Sequence, residues 1–188
     1  RKLFCHCPTT LRTDDPIYTV ERRLRPTPSE IGEVDVAALK EYMRGKTYVY
    51  QYYDTNCLVE LDEEPPHLVS DEAKRIVIEV SLLLNSNIIE EIQVMRKTVL
   101  DGSNTSAFQR TMLISTDGSI HTNNGPVSIM TVCLEEDAAR LITQDERSKT
   151  FRLDRLGIPL IEIATGPDIS CPEQAKEAAY KIGQILRA

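Results

Sequence analysis

An α+β fold, an antiparallel sheet covered by helices, is what this sequence predicts, on three observations. Short β-branched or aromatic runs between residues 87 and 163 are separated by turn signals, not by helical patterns. Three stretches with apolar residues at helical spacing, near residues 35–44, 70–85 and 170–186, flank those runs. Strands joined by hairpins leave an apolar side, and helices are the natural cover for it. A length of 188 residues with 27% charged residues fits one domain with a real core and excludes disorder or collagen-like repetition.

The elements follow in order. The opening through Pro28 is rich in Arg, Thr and Pro and reads as a strand end and an extended loop. Asp35 to Arg44 places Val36, Leu39 and Met43 at helical spacing and ends at Gly45. Tyr48 to Tyr53 and Leu58 to Asp62 alternate as strands do, and Pro65-Pro66 breaks the chain. Ser70 can cap a helix with Ala73, Val77, Val80 and Leu84 on one face, ending at Asn85. Strands are expected over Ile88 to Lys97, Ala107 to Ser115 and Ser119 to His121, with Asp117-Gly118 as a hairpin turn. Asn123-Asn124-Gly125 is a second turn before a strand over Val127 to Leu134. Thr150 to Leu153 and Leu160 to Ile163 complete the set. Ser170-Cys171-Pro172-Glu173 then reads as a capping box opening a helix with Ala175, Ala178, Ala179, Ile182, Ile185 and Leu186 on one face.

Charge and cysteines limit the function. Twenty-two basic against twenty-nine acidic residues leave a net charge of -7, so bulk electrostatics does not hold a polynucleotide. No apolar run approaches the ~20 residues of a membrane span. The five cysteines, with no secretory signal, read as reduced thiols of a cytoplasmic protein. Cys5-His6-Cys7 offers three metal ligands in three positions, but the pair is closer than structural zinc pairs usually are and no second pair follows. Buried or loop thiols are the simpler expectation. The chain opens without Met and stops inside a helical pattern, as a piece of something longer does.

Chemistry concentrates in the acids. Glu135-Glu136-Asp137 follows a strand and leads into Ala138-Ala139-Arg140, which reads as a strand-to-helix junction. Three adjacent acids repel, so burying them requires a cation or basic neighbours, and magnesium takes carboxylates while keeping waters that meet phosphates. The simpler alternative is a solvated charged turn. Glu60 and Asp62 fall on one face of their expected strand, either as a ligand wall or as an edge guarded by charge. Glu162 is a lone acid in an apolar strand and, if buried, needs a partner. Arg96-Lys97, Arg110, Arg140, Arg152 and Arg155 interleave with these acids, and together they suit a polyanion plus a metal, as nucleotide phosphates are. The loop Asp101 to Ser106 can present backbone N–H groups but by itself signals only a turn.

Six ordered segments carry a family resemblance: Leu24–Asp35, Leu58–His67, Val94–Lys97, Asp101–Thr111, Leu134–Arg140 and Phe151–Ile163. Over nearly its whole length the sequence resembles the archaeal E subunits of glutamyl-tRNA(Gln) amidotransferase, sister to the bacterial and organellar B subunits. The resemblance implies a cradle domain related to glutamine synthetase and guanido kinases, spanning residues 1–188 and truncated at both ends. It implies ATP and Mg as cofactors, phosphorylation of the Glu side chain on misacylated tRNA(Gln), and displacement of the phosphate by ammonia from an asparaginase-like D subunit. Carried over by motif, Glu136 is the first magnesium ligand, with Glu135 and Glu162 in support. Lys97 lies near the ammonia route and is able to pair with Glu136. Arg110, with Asp101, Ser103 and Asn104, would contact nucleotide or acyl end.

Two departures stand out. A Gly-x-Glu-x-His strand that opens the family, with metal-ligating Glu and His, is absent before Lys2, as are the later domains that hold tRNA. The resemblance therefore implies a piece inactive alone. The alternatives are a non-catalytic scaffold that docks the amidase subunit, or a B-type subunit; the B type is disfavoured by Asp101-Gly102-Ser103-Asn104, which stands where an aromatic, Pro-rich segment is expected.

Overall fold

The computed structural model describes residues 1–26 and 28–188; Thr27, inside the Leu24–Asp35 segment, lies outside them. The elements are β1 (Tyr18–Arg22), α1 (Val36–Met43), β2 (Thr47–Tyr52), α2 (Asp71–Leu83), β3 (Asn87–Ile88), β4 (Val94–Thr98), β5 (Phe108–Thr122), β6 (Gly125–Glu136), β7 (Arg140–Gln144), β8 (Ser148–Arg152), β9 (Pro159–Thr165) and α3 (Pro172–Ile185). The fold is α+β. One sheet runs β1-β2-β8-β7; the other runs β3-β5-β6-β9, with β4 also pairing β5. The pairing is antiparallel in β1–β2, β3–β5, β5–β6 and β7–β8, whereas β2 and β8 run parallel. No helix among the described residues is long and apolar enough to cross a membrane.

The chain forms two compact units. The first comprises residues 1–70, 96–110 and 136–159; the second comprises 71–95, 111–135 and 160–188. In the first, β2 alternates as the sequence predicts, and Tyr48 and Tyr50 enter a core with Leu61, Ala139, Phe151, Leu153 and Leu156. Tyr50 and Phe151 stack with centroids 6.0 Å apart. In the second, α2 turns Ala73, Val77 and Val80 inward as expected, and β5 and β6 supply Ile114, Ile120, Val127, Ile129, Val132 and Leu134. Each large apolar side chain so buried contributes about 1.5–3 kcal/mol. The Ser115 hydroxyl donates to Ser81 at 2.9 Å, tying β5 to α2.

Several expectations are corrected. Leu58 to Asp62 is a turn, not a strand, because Asp62 adopts φ 56° and the Asp62 N–H donates to the Val59 carbonyl at 3.1 Å. Glu60 is consequently buried and Asp62 exposed, so the two do not share a strand face. Asp117-Gly118 is no hairpin turn either, since β5 runs straight through it. Gly118 serves close approach there: a Cβ would meet the Ser86 Oγ at 2.0 Å and the Leu84 carbonyl at 2.7 Å. The reversal falls only at Asn123-Asn124, closing Thr122 against Gly125.

The acids of 135–136 end β6, and β7, a strand, follows in place of the expected helix. All of β7 is exposed, so it shows no alternation by which sequence could find it. β1 was likewise not expected. In α1 the expected face is exposed (Val36 66%, Met43 73%) and Ala38 is the buried residue. The α3 capping box does not form: Cys171 is the N-cap without a side-chain bond, and Ser170 donates instead to the Gln174 side chain. That buries Gln174 and Ala178 and leaves Ala179 and Leu186 exposed.

Candidate functional site

The last residue of β6, Glu136, is where buried charge gathers. Its carboxylate lies 3.1 Å and 3.3 Å from the Arg110 guanidinium, and its Oε1 also accepts the Arg110 backbone N–H at 3.1 Å. Both side chains are about a tenth exposed or less. The Arg110 guanidinium carbon stands 5.6 Å from the Phe4 ring centroid and 5.3 Å from that of Phe108, so two aromatic faces restrict it. Burial pushes the Glu136 carboxyl above its ordinary range; Arg110 opposes that rise without cancelling it, and the charge of Glu60 adds to it. This carboxylate would therefore gain from a further cation.

Around the pair lies a small pocket of about 10 Å³ lined by Lys2, Glu60, Asn104, Thr105, Arg110 and Glu136 among others. Lys2 and Glu60 are themselves a buried ion pair at 3.4 Å. The Thr105 hydroxyl donates to the Glu60 carbonyl at 2.8 Å, fastening the 101–106 loop to the 57–60 turn. Asn104 is 2% exposed, and its amide nitrogen has no hydrogen-bond partner among the described residues. An orphaned donor of this kind is costly unless an acceptor arrives.

The loop's shape follows from Gly102. Its φ of +87° suits glycine, and a Cβ there would fall 2.1 Å from the Tyr48 ring. The Tyr50 hydroxyl donates to the Gly102 carbonyl at 2.7 Å. Asp101 is exposed and accepts from both the Ser103 N–H and hydroxyl, at 2.9 Å and 2.6 Å.

Beside Tyr48 and the approach to this loop opens a larger cleft of about 260 Å³, lined by Arg23, Arg25, Lys46, Tyr42, Tyr48 and Leu100 among others. Lys46 lies 3.7 Å from Glu41.

The expected site residues thus separate. Arg110, Glu136 and Asn104 converge, with Ser103 and Asp101 on the adjoining loop. Lys97 is exposed on β4, and Arg110 is bonded to Glu136. Glu135 is buried but accepts from the Thr111 hydroxyl at 3.0 Å, and consecutive strand positions face opposite ways, so it and Glu136 do not share one face. Glu162 is exposed on β9, where a buried carboxylate was anticipated.

Sequence reading missed Lys2 and Phe4 as wall residues and Phe108 as a ring against Arg110. Nothing local marks them, because their partners lie elsewhere in the chain. The orphaned amide of Asn104 was equally hidden in what reads as a polar turn.

The model of the GatB/GatE catalytic domain matches residues 1–188. The chain is 59% identical, over its whole length, to the E subunit of glutamyl-tRNA(Gln) amidotransferase from Methanocaldococcus jannaschii, covering 30% of that protein. It is 56% identical to the E subunit from Sulfurisphaera tokodaii over 99% of this chain and 30% of the relative. The Saccharolobus islandicus E subunit is also 56% identical, with 99% of this chain and 29% of the relative covered. The chain spans about a third of these relatives. It belongs to the GatB/GatE catalytic domain family.

Proposed function

We propose that this chain is the catalytic part of an amidotransferase that converts Glu on tRNA(Gln) to Gln, through ATP-dependent phosphorylation of the Glu side chain and displacement of the phosphate by ammonia. The observation that carries the reading is the buried Arg110–Glu136 pair with the orphaned Asn104 amide beside it, in a chain that matches the family from end to end. A buried ion pair is seldom worth more than apolar packing of the same volume, so stability alone does not explain it.

In this reading Glu136 is the carboxylate ligand for Mg, whose donor chemistry it fits and whose charge its burial would welcome. When bound, magnesium supplies charge neutralisation on the transferred phosphoryl. Arg110, held by Phe4 and Phe108, keeps Glu136 ionised and oriented. Asn104 Nδ2 offers a hydrogen bond to a phosphoryl or acyl oxygen, and Asp101 and Ser103 shape the loop that presents it. Arg23, Arg25 and Lys46 give the larger cleft positive charge suited to the anionic part of ATP or to a tRNA end. Lys97 is proposed to serve ammonia. Ammonia comes from a D subunit with asparaginase-like chemistry, and the complex acts in the cytoplasm.

A structural role for the pair is the competing reading, favoured by the small volume of its pocket. Glu136→Gln in the full-length protein decides between them. We expect γ-glutamyl phosphate, trapped as the hydroxamate on Glu-tRNA(Gln), to fall at least 100-fold while asparaginase activity of the partner persists. Normal phosphorylation by that variant would remove Glu136 from the chemistry.

A further inference from the structure

The loop that carries the Asn104 amide is held from inside the core of the first unit. Tyr48 and Tyr50 alternate along β2, both face inward, and both meet the same loop residue, Gly102. The Tyr48 ring occupies the space that a Cβ on Gly102 would need, 2.1 Å away. The Tyr50 hydroxyl donates to the Gly102 carbonyl at 2.7 Å. Tyr50 is fully buried, in a cluster with Leu61, Phe151 and Leu153. A phenylalanine would fill that space without bringing a hydroxyl that must be satisfied. Burial pushes the Tyr50 hydroxyl above its ordinary range, so it stays protonated and remains a donor.

Past Asn104 a second anchor follows. The Thr105 hydroxyl donates to the Glu60 carbonyl at 2.8 Å, and Thr105 is itself buried. The main chain between the two anchors is also fixed. The Ala139 N–H donates to the Ser103 carbonyl at 2.8 Å, and the Ala107 N–H to the Asn104 carbonyl at 3.0 Å. Before them, the Lys149 ammonium donates to the Asp101 carbonyl at 3.1 Å. Each residue from 101 to 105 is therefore tied down. Asn104 Nδ2, in the pocket that Arg110 and Glu136 also line, has no partner among the described residues. A loop fixed this closely around one unpartnered donor is preorganised to present it.

We propose that Tyr50 and Thr105 are positioning residues, which hold the loop on either side of Asn104 so that its amide meets the phosphoryl or acyl oxygen already aimed. The role rests on the proposed phosphorylation of Glu on tRNA(Gln), and neither residue touches the reacting atoms. A donor in place before reaction stabilises charge as it develops and needs no reorganisation at that moment. A loosened loop binds the ground state nearly as well but meets the transition state less well. Loss of either anchor therefore lowers kcat and leaves KM for ATP alone.

A double-mutant cycle in the full-length protein tests this, with γ-glutamyl phosphate on Glu-tRNA(Gln) trapped as the hydroxamate. We expect Asn104→Ala to lower kcat about 100-fold. Tyr50→Phe should lower it about tenfold with KM for ATP unchanged. Combining the two should match Asn104→Ala alone to within about twofold, because Tyr50 acts through that amide. A merely structural role makes the losses multiply, and a combined fall of about 1,000-fold overturns the inference while leaving the proposed reaction standing. Undiminished kcat in Tyr50→Phe, or a loss confined to KM, does the same. Should Tyr50→Phe fail to fold, Thr105→Val completes the same cycle with the same outcomes. Full phosphorylation by Asn104→Ala overturns the role of the amide and of both anchors. A wild type that forms no hydroxamate overturns the proposed reaction and the positioning role together.

Discussion

The two units bury polarity in opposite ways. The first encloses Lys2, Glu60, Arg110, Glu136 and Asp154, five acidic or basic side chains. In the second, among the described residues, Glu135 is the single buried charge, and the other buried polar residues are Ser81, Ser86, Thr111, Ser115 and Gln174. Hydroxyls bond locally at little cost, as Ser115 does to Ser81, whereas each buried charge demands a partner placed to within a few tenths of an ångström. A unit that accepts such demands repeatedly gains something other than stability from them. The proposed chemistry accordingly draws on residues of the first unit.

Removing one member of a pair should expose this contrast most strongly. Arg110→Ala leaves Glu136 buried beside Glu60 with its guanidinium gone, and we expect a loss of about 3–5 kcal/mol in urea unfolding. A cost under about 1 kcal/mol would mean that water already reaches the pair.

A smaller effect separates the units by sign. Glu136 has its folded pKa raised by burial above an ordinary value near 4.5, so its contribution is full below that value and lost as pH rises through the folded pKa. Asp168 in the second unit accepts the Ser128 N–H and hydroxyl, and its pKa is lowered below 3.8. Its contribution is present above 3.8 and lost as pH falls through the lower value. Thermal melts across pH should therefore show Glu136→Gln becoming less harmful, relative to wild type, as pH rises above about 4.5. Asp168→Asn should become less harmful as pH falls below about 4. Parallel trends in the two variants would break the comparison.

How much of this was legible in sequence follows the same division. In α2 the positions Ala73, Val77 and Val80 repeat with the helix, and in β2 Tyr48 and Tyr50 repeat with the strand, so local periodicity exposes both. Where conformation is set by distant contacts, periodicity misleads. Leu58 to Asp62 alternates like a strand, yet Glu60 is turned inward by Lys2, by the Cys5 thiol and by the Cys57 N–H, and the segment becomes a turn. Asp117-Gly118 has the composition of a reversal, but the glycine is there to admit Ser86 and Leu84. Within the candidate site, Glu136 stood out because adjacent acids are conspicuous. Phe4, Phe108 and Lys2 did not, since an aromatic or a lysine acquires meaning only from the charge it is folded against.

The most direct test replaces the whole pair. Exchanging Arg110 for Met and Glu136 for Leu together removes both charges and leaves apolar volume in their place. Because such replacements of buried ion pairs are often neutral or stabilising by about 1–4 kcal/mol, the account predicts a folded protein of undiminished stability. That protein should form no γ-glutamyl phosphate. Retained phosphorylation, or a chain that unfolds once both charges are gone, would contradict the claim that the first unit holds this pair for its reaction.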